Sequence, residues 1–302
     1  MDPVLLIKRT MKPVFFIAVT GACFLDCQKE AGPNEPSTLP FEVTPVSTAV
    51  IPGTIDEASG IADSKKNTGY LWIEQDSGNP PELFLLSYDG TVLKKIYLKN
   101  ATNRDWEDLS VGPGPVAGED YVYIAETGDN SAVYLNYAIY RMIEPLASAD
   151  TVSTFDKLVF EYPDGPHDVE SVLVDHASKD IYLISKQDSL SKIYKLPYPQ
   201  STTTTNMAVS LGKMKFGGAS GAAISKDGQE ILVKTYTGVY YWKRNAGESI
   251  ESALQRSPLS LGYVLEPQGE ALCFRNDSTG FYTLSEKPFF AASVSLNFYK
   301  RR

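Results

Sequence analysis

Histidine and cysteine are nearly missing from this chain. It has two histidines, His167 and His176, and three cysteines, of which Cys23 and Cys27 lie at the start and only Cys273 lies in the body. A disulfide scaffold is therefore excluded, and so is a zinc site of the usual His and Cys spacing. Basic residues are also scarce: 28 Lys and Arg stand against 37 Asp and Glu, for a net charge of −9. Nucleic acid is not an expected partner, because affinity for it rests on Lys and Arg neutralising phosphates. No Gly-x-Ser-x-Gly sequence occurs. Gly112-Pro113-Gly114 and Gly217-Gly218 are turn signals, since neither opens a helix or carries the lysine of a phosphate loop. Sustained helical periodicity is absent, and only Glu248 to Gln255 reads as helix.

What the N-terminus does have is a pattern of export. Lys8, Arg9 and Lys12 precede an uncharged apolar run from Pro13 to Leu25, too short to span a bilayer. Cysteine stands where a small cleavage residue is usual, so the segment resembles a bacterial lipoprotein signal whose mature chain begins at a lipid-modified cysteine. Cys27, followed by the polar Gln28-Lys29-Glu30, is the preferred attachment point, with Cys23 as the alternative. Residues 1–27 are thus expected to be the signal. Residues 28–40, rich in Pro, Gly, Ser, Thr and Glu, should be a flexible tether, and residues 41–302 one folded domain. The expectation is an exported monomer of the bacterial cell envelope, at the outer membrane or in the periplasm, touching membrane through its lipid alone.

Short runs of Tyr, Val, Ile and Phe alternate with Gly, Pro, Asn and Asp turns, the pattern of an all-β domain. Five segments open a strand in the same way: Glu57-Ala-Ser-Gly-Ile61, Asp105-Trp-Glu-Asp-Leu109, Asp168-Val-Glu-Ser-Val172, Ala219-Ser-Gly-Ala222 and Gln268-Gly-Glu-Ala-Leu272. Their marked residues, Ser59, Glu107, Glu170, Ser220 and Glu270, are spaced by 48, 63, 50 and 50 residues. That is close to the period of a four-stranded β-propeller blade, with an insertion in the second unit. Second strands should begin at Tyr70, Tyr121, Ile181, Ile231 and Phe281. The spacing predicts a five-bladed β-propeller, with six blades as the alternative. Phe41 to Ile51, broken by Pro45, should supply the outer strand of a last blade built from both chain ends. The outer strands of the third and fourth blades are expected at Met207 to Lys215 and Gly262 to Leu265, and the third strand of the last at Ala292 to Phe298.

First strands of a propeller line its axis, so the five marked residues should converge there. Three carboxylates in a narrow, poorly solvated channel must bind protons, recruit a basic partner or hold a cation. No Lys or Arg adjoins them in sequence. Oxygen donors of this kind suit Ca²⁺ as cofactor, with polar residues satisfied by turn amides and channel water as the alternative.

The five-blade count, the order Ser, Glu, Glu, Ser, Glu, and the runs Asp105-Trp106-Glu107-Asp108-Leu109 and His167-Asp168-Val169-Glu170-Ser171 resemble the calcium-activated nucleotidases, or apyrases. That resemblance implies one axial calcium held by Ser59, Glu107, Glu170, Ser220 and Glu270, and a calcium-dependent phosphohydrolase. The chain departs from the family at Ser185-Lys186-Gln187-Asp188, where the nucleotidases carry a basic, arginine-containing run. Ends of the second strands should surround one mouth of the channel. For hydrolysis, Glu126, Lys186 and Glu286 are the catalytic candidates, and Asp76, Asp129, Lys234 and Lys287 would bind ligand. Two readings follow: a calcium-binding envelope protein that binds a small molecule, glycan or protein or acts as a scaffold, and a phosphohydrolase of the nucleotidase or phosphodiesterase kind.

Overall fold

The structure is a computed structural model, described for residues 39–302 except Pro52, Gln187, Asp188, Phe289, Phe290 and Ala292. Cys23, Cys27, the signal and nearly all of the tether lie outside the described residues.

Five sheets, each with an antiparallel four-stranded body, follow one another along the chain. Strand β1 (Val46–Ala49) comes first and is used last. The first sheet is β2 (Ala58–Asp63), β3 (Tyr70–Gln75), β4 (Glu82–Ser87) and β5 (Val92–Leu98). The second is β6 (Trp106–Pro113), β7 (Asp120–Glu126), β8 (Tyr137–Ile143) and, beyond a two-residue strand β9 (Thr151–Val152), β10 (Asp156–Glu161). The third is β11 (Val169–Val174), β12 (Ile181–Ser185), β13 (Lys192–Leu196) and, beyond β14 (Asn206–Met207), β15 (Val209–Lys213). The fourth is β16 (Gly221–Ile224), β17 (Glu230–Thr235), β18 (Gly238–Lys243) and, after the helix α1 (Ile250–Gln255), β19 (Leu259–Leu261). The fifth is β20 (Gly269–Phe274), β21 (Gly280–Ser285) and β22 (Ser295–Lys300), completed by β1 in the register Val46 to Phe298 and Ala49 to Ser295.

Turn chemistry explains the hairpins. Asp89-Gly90 joins β4 to β5 and Asp227-Gly228 joins β16 to β17, with Gly90 and Gly228 at φ +83° and +70°, where a side chain would be strained. The core is divided into five apolar clusters, one between each pair of neighbouring sheets, including the fifth with the first. Only a closed ring gives every sheet two apolar neighbours, and the fold is therefore a five-bladed β-propeller. A sixth blade is excluded, because the second unit forms a single sheet. Its extra length carries β9, which leaves its own blade and pairs in parallel with β5 of the first. β14 reaches back in the same way to β10.

Some boundaries shift. The outer strand of the fourth blade lies at Leu259–Leu261 rather than at Gly262 to Leu265, because α1 fills the connection and Leu261 pairs with Val239. The third strand of the last blade begins at Ser295 rather than at Ala292. The helix is two residues shorter than expected: Ser249 caps it by accepting from Ser252 N, and Ile250, Ala253 and Leu254 are its buried face. Trp72, Trp106 and Trp242 are all interblade core, as is Cys273.

Candidate functional site

Four of the five first strands contain a β-bulge at the marked residue. Pairing jumps from Ala58 to Gly60, from Trp106 to Asp108, from Val169 to Ser171 and from Gly269 to Ala271. Ser59, Glu107, Glu170 and Glu270 are thus the extra residue, and a bulge re-aims its side chain out of the ladder alternation. In the fourth blade Ser220 lies just ahead of β16, where its N–H bonds Lys234 O at 2.9 Å. All five are 0–5% exposed.

Their partners are not symmetric about the axis. Ser59 Oγ donates to Glu270 Oε2 at 3.4 Å, and Ser220 Oγ turns to Gly269 O at 3.3 Å. Tyr236 OH donates to Glu270 Oε1 at 2.6 Å. The absence of a neighbouring base in sequence does not hold in space: Lys186 Nζ is ion-paired with Glu170 Oε1 and lies 3.4 Å from Glu270 Oε1. β12 ends one residue before Lys186 and delivers it across the axis. Although burial works against its charge, Glu170 and Glu270 hold the Lys186 ammonium above its ordinary range. Glu170 Oε2 is buried without a hydrogen-bond partner. Among the described residues nothing donates to the Glu107 carboxylate. Burial, and then the charge of their neighbours, pushes Glu107 and Glu170 well above the usual carboxylate range.

Glu107 is where two acidic groups meet. Carboxylate oxygens of Glu107, Asp168 and Glu170 lie within 4.8 Å of one another, and so do those of Asp76, Asp105 and Glu107. Burial and the adjacent Asp76 raise Asp105 to about 6. Gly128 makes the approach possible: a Cβ there would collide with both the Glu107 and Asp105 carboxylates. Asp105 and Asp168 were not among the expected ligands, though the repeated Asp-x-Glu of the second and third strand openings carries the signal. Two further carboxylates lie in the channel wall. Asp108 accepts from Leu109 N and Val172 N, both at 2.8 Å, and from Ala222 N at 3.4 Å, linking three blades. Glu74 is fully buried, with neither oxygen hydrogen-bonded.

The remaining mouth residues disperse. Asp76 belongs to the acidic group just described, and Glu286 is raised to about 7 by burial and by Glu270, Asp76 and Glu57. Glu126 instead points outward within its blade, to Thr102 Oγ1 at 2.9 Å and Lys157 Nζ at 3.2 Å. Asp129 closes its own turn by accepting from Val133 N, Tyr134 N and Tyr137 OH at 2.9, 2.9 and 2.7 Å. Lys287 pairs with Asp56 at 2.6 Å. Lys234 is fully buried between the fourth and fifth blades, 2.5 Å from Glu266 Oε2. Farther along the axis the channel narrows to a cavity of about 30 Å³ lined by residues such as Ile61, Leu109, Ala222 and Leu272, room for little more than a water.

No family model and no curated protein matches the chain. Solved structures similar to it include a gluconolactonase from Xanthomonas campestris, 10% identical over 90% of this chain and 99% of that one, with a TM-score of 0.49. Hydrazine synthase of Kuenenia stuttgartiensis is 10% identical over 81% of this chain and 71% of that one, at 0.44. The Dos1 propeller is 10% identical over 76% and 53%, at 0.37. At these values the chemistry has to be argued from this chain's own residues.

Proposed function

We propose that the chain is an exported, lipid-anchored β-propeller of the bacterial envelope that binds Ca²⁺ at its axial mouth and serves as a ligand-binding or scaffold protein. The observation that carries this reading is the Glu107, Asp168 and Glu170 group. Its carboxylates are buried, Lys186 meets only one side of it, and Glu170 Oε2 has no partner. Three converging carboxylates against one lysine leave buried charge uncompensated, which is costly, and hard oxygen donors of this kind fit Ca²⁺. An ion here would neutralise the second and third blades at their meeting point and offer a positive contact to an acidic group or hydroxyl of a ligand.

The phosphohydrolase alternative is less well supported. Lys234 and Lys287 are committed to Glu266 and Asp56, and Glu126 to Lys157, which among the described residues leaves Lys186 as the one candidate cation in the acidic mouth. Phosphate release from nucleoside di- and triphosphates should stay at background; calcium-dependent release lost in Lys186→Ala would reverse the order of the two readings. Mass spectrometry of the mature N-terminus, expected to show a lipidated Cys27, tests the anchor.

A ligand that binds only the native state stabilises it by about 2.7 kcal/mol at a hundred times its Kd. Melting curves should therefore rise on adding Ca²⁺ after chelation, more than with Mg²⁺, and the rise should vanish in Glu170→Gln. No rise, with metal analysis also empty, would sink the calcium reading.

The rise should also grow with pH. Carboxyls raised in the folded state favour it while protonated, so without metal the Asp105 and Glu286 contributions are lost as pH climbs from about 4.5 to about 7. Calcium competes in the same sense with the protons that burial favours on Glu107 and Glu170, so its stabilisation should be smaller at pH 5 than at pH 8. A calcium effect independent of pH would place the ion elsewhere.

A further inference from the structure

The group on the other side of Glu107 has no function in the reading above. We propose that Asp76, Asp105 and Glu107 form a second divalent-cation site, so that Glu107 bridges two ions. The proposal rests on the calcium-binding reading and extends it.

Three observations support it. First, Glu107 is 4% exposed, receives no hydrogen bond from any described residue, and reaches both groups within 4.8 Å. A buried carboxylate of this kind takes up a proton or an electropositive neighbour, and a cation on each side would displace the proton. Second, the outer group is built on a fixed platform. Asn103 Nδ2 donates to Gln75 O and Asp76 O at 2.8 and 2.9 Å, while Asn103 Oδ1 accepts from Trp106 N at 3.1 Å. Thr127 N and Gly128 N both bond Asp105 O, at 3.1 and 3.2 Å, and the bare Cα of Gly128 leaves room for the two carboxylates. Third, two ions come closer to charge balance than one. Fully ionised, Asp76, Asp105, Glu107, Asp168, Glu170 and Glu270 would carry six negative charges, against the one positive charge that Lys186 brings to Glu170 and Glu270. One divalent ion would then leave three charges uncompensated, and a second would leave one. The inner ion would join the second blade to the third, and the outer one the first to the second.

Calcium titration of the intact chain by calorimetry, with equilibrium dialysis for stoichiometry, tests this. The wild type should bind two ions. Asp76→Asn/Asp105→Asn should bind one and keep the calcium-dependent rise in melting point, Glu170→Gln should lose the inner ion, and Glu107→Gln should weaken both by more than tenfold. One ion in the wild type, measured without any variant that has to fold, overturns the second site and leaves the first intact. Two ions unaffected by the Asp76 and Asp105 substitutions overturn it as well. No ion at all removes both readings together.

Discussion

Replacing Lys234 with methionine should cost about 3–5 kcal/mol of stability, the usual penalty for removing one partner of a buried ion pair. Lys234 Nζ donates to Glu266 Oε2 at 2.5 Å and to Tyr263 OH, and lies 4.3 Å from the Tyr263 ring centre. Glu266 is fully engaged: Tyr263 OH also reaches Oε2, at 2.8 Å, and Oε1 accepts from Thr283 Oγ1 and from Asn297 Nδ2, the latter at 2.6 Å. Burial pushes the Lys234 ammonium below its ordinary range, and the Glu266 charge opposes that push. Without the lysine, Glu266 keeps three donors but loses its only counter-charge among the described residues. At about 2–4 °C per kcal/mol for a domain of this size, the melting point should fall by roughly 10 °C. Adding Glu266→Gln should recover part of the loss, because the amide oxygen still accepts from Thr283 and Asn297 and no buried charge is left. A fall of less than about 1 kcal/mol in Lys234→Met, measured by denaturant titration, would show that the pair contributes little.

Opening the ring should be at least as damaging. A chain beginning at Ile51 lacks β1, which hydrogen-bonds the outer edge of β22, and lacks Phe41 and Val50, each 1% exposed. Phe41 packs edge-on against Tyr241 at 5.9 Å and Phe281 at 5.0 Å, and the Arg301 guanidinium lies over its ring at 4.7 Å. Losing a buried phenylalanine alone costs about 3–5 kcal/mol. The exposed β22 edge then becomes a template for pairing with another chain. Size-exclusion chromatography with light scattering should find this chain largely aggregated, while one beginning at Leu39, which keeps Phe41 and β1, remains monomeric. Equal melting points for the two chains would mean that the blades hold without closure.

The blade count was legible because each strand opening repeats the same small or acidic residue at nearly constant spacing. β9 and β14 were not, since strands of two residues have no alternation to read, and their parallel partners belong to the preceding blade. In the site, the convergence of Glu107 with Glu170 and of Ser59 with Glu270 follows from propeller geometry alone. The bulges do not, because one extra residue leaves no mark on hydrophobic patterning, yet they decide which way Ser59, Glu107, Glu170 and Glu270 point. Lys186 was assigned to the mouth, but its reach to two glutamates depends on distances across the axis that spacing cannot supply. Asp129, Lys234 and Lys287 looked like ligand residues because they are polar and sit at strand ends. The folded chain pairs each with an internal partner.

The strand that seals the ring also sets a schedule. Ser47 Oγ donates to Asn297 Oδ1 across 250 positions of sequence. At roughly 5–20 residues per second, roughly 10–50 s of synthesis separate these two partners. Such non-local pairing is slow to form because a long loop must close before any contact compensates for its entropy. The first four blades can assemble on local hairpins, but β1 stays without its neighbour until the six residues of β22 have been made. Emergence of β22, rather than of any of the first four blades, is the event that lets β1 find its neighbour and the ring close.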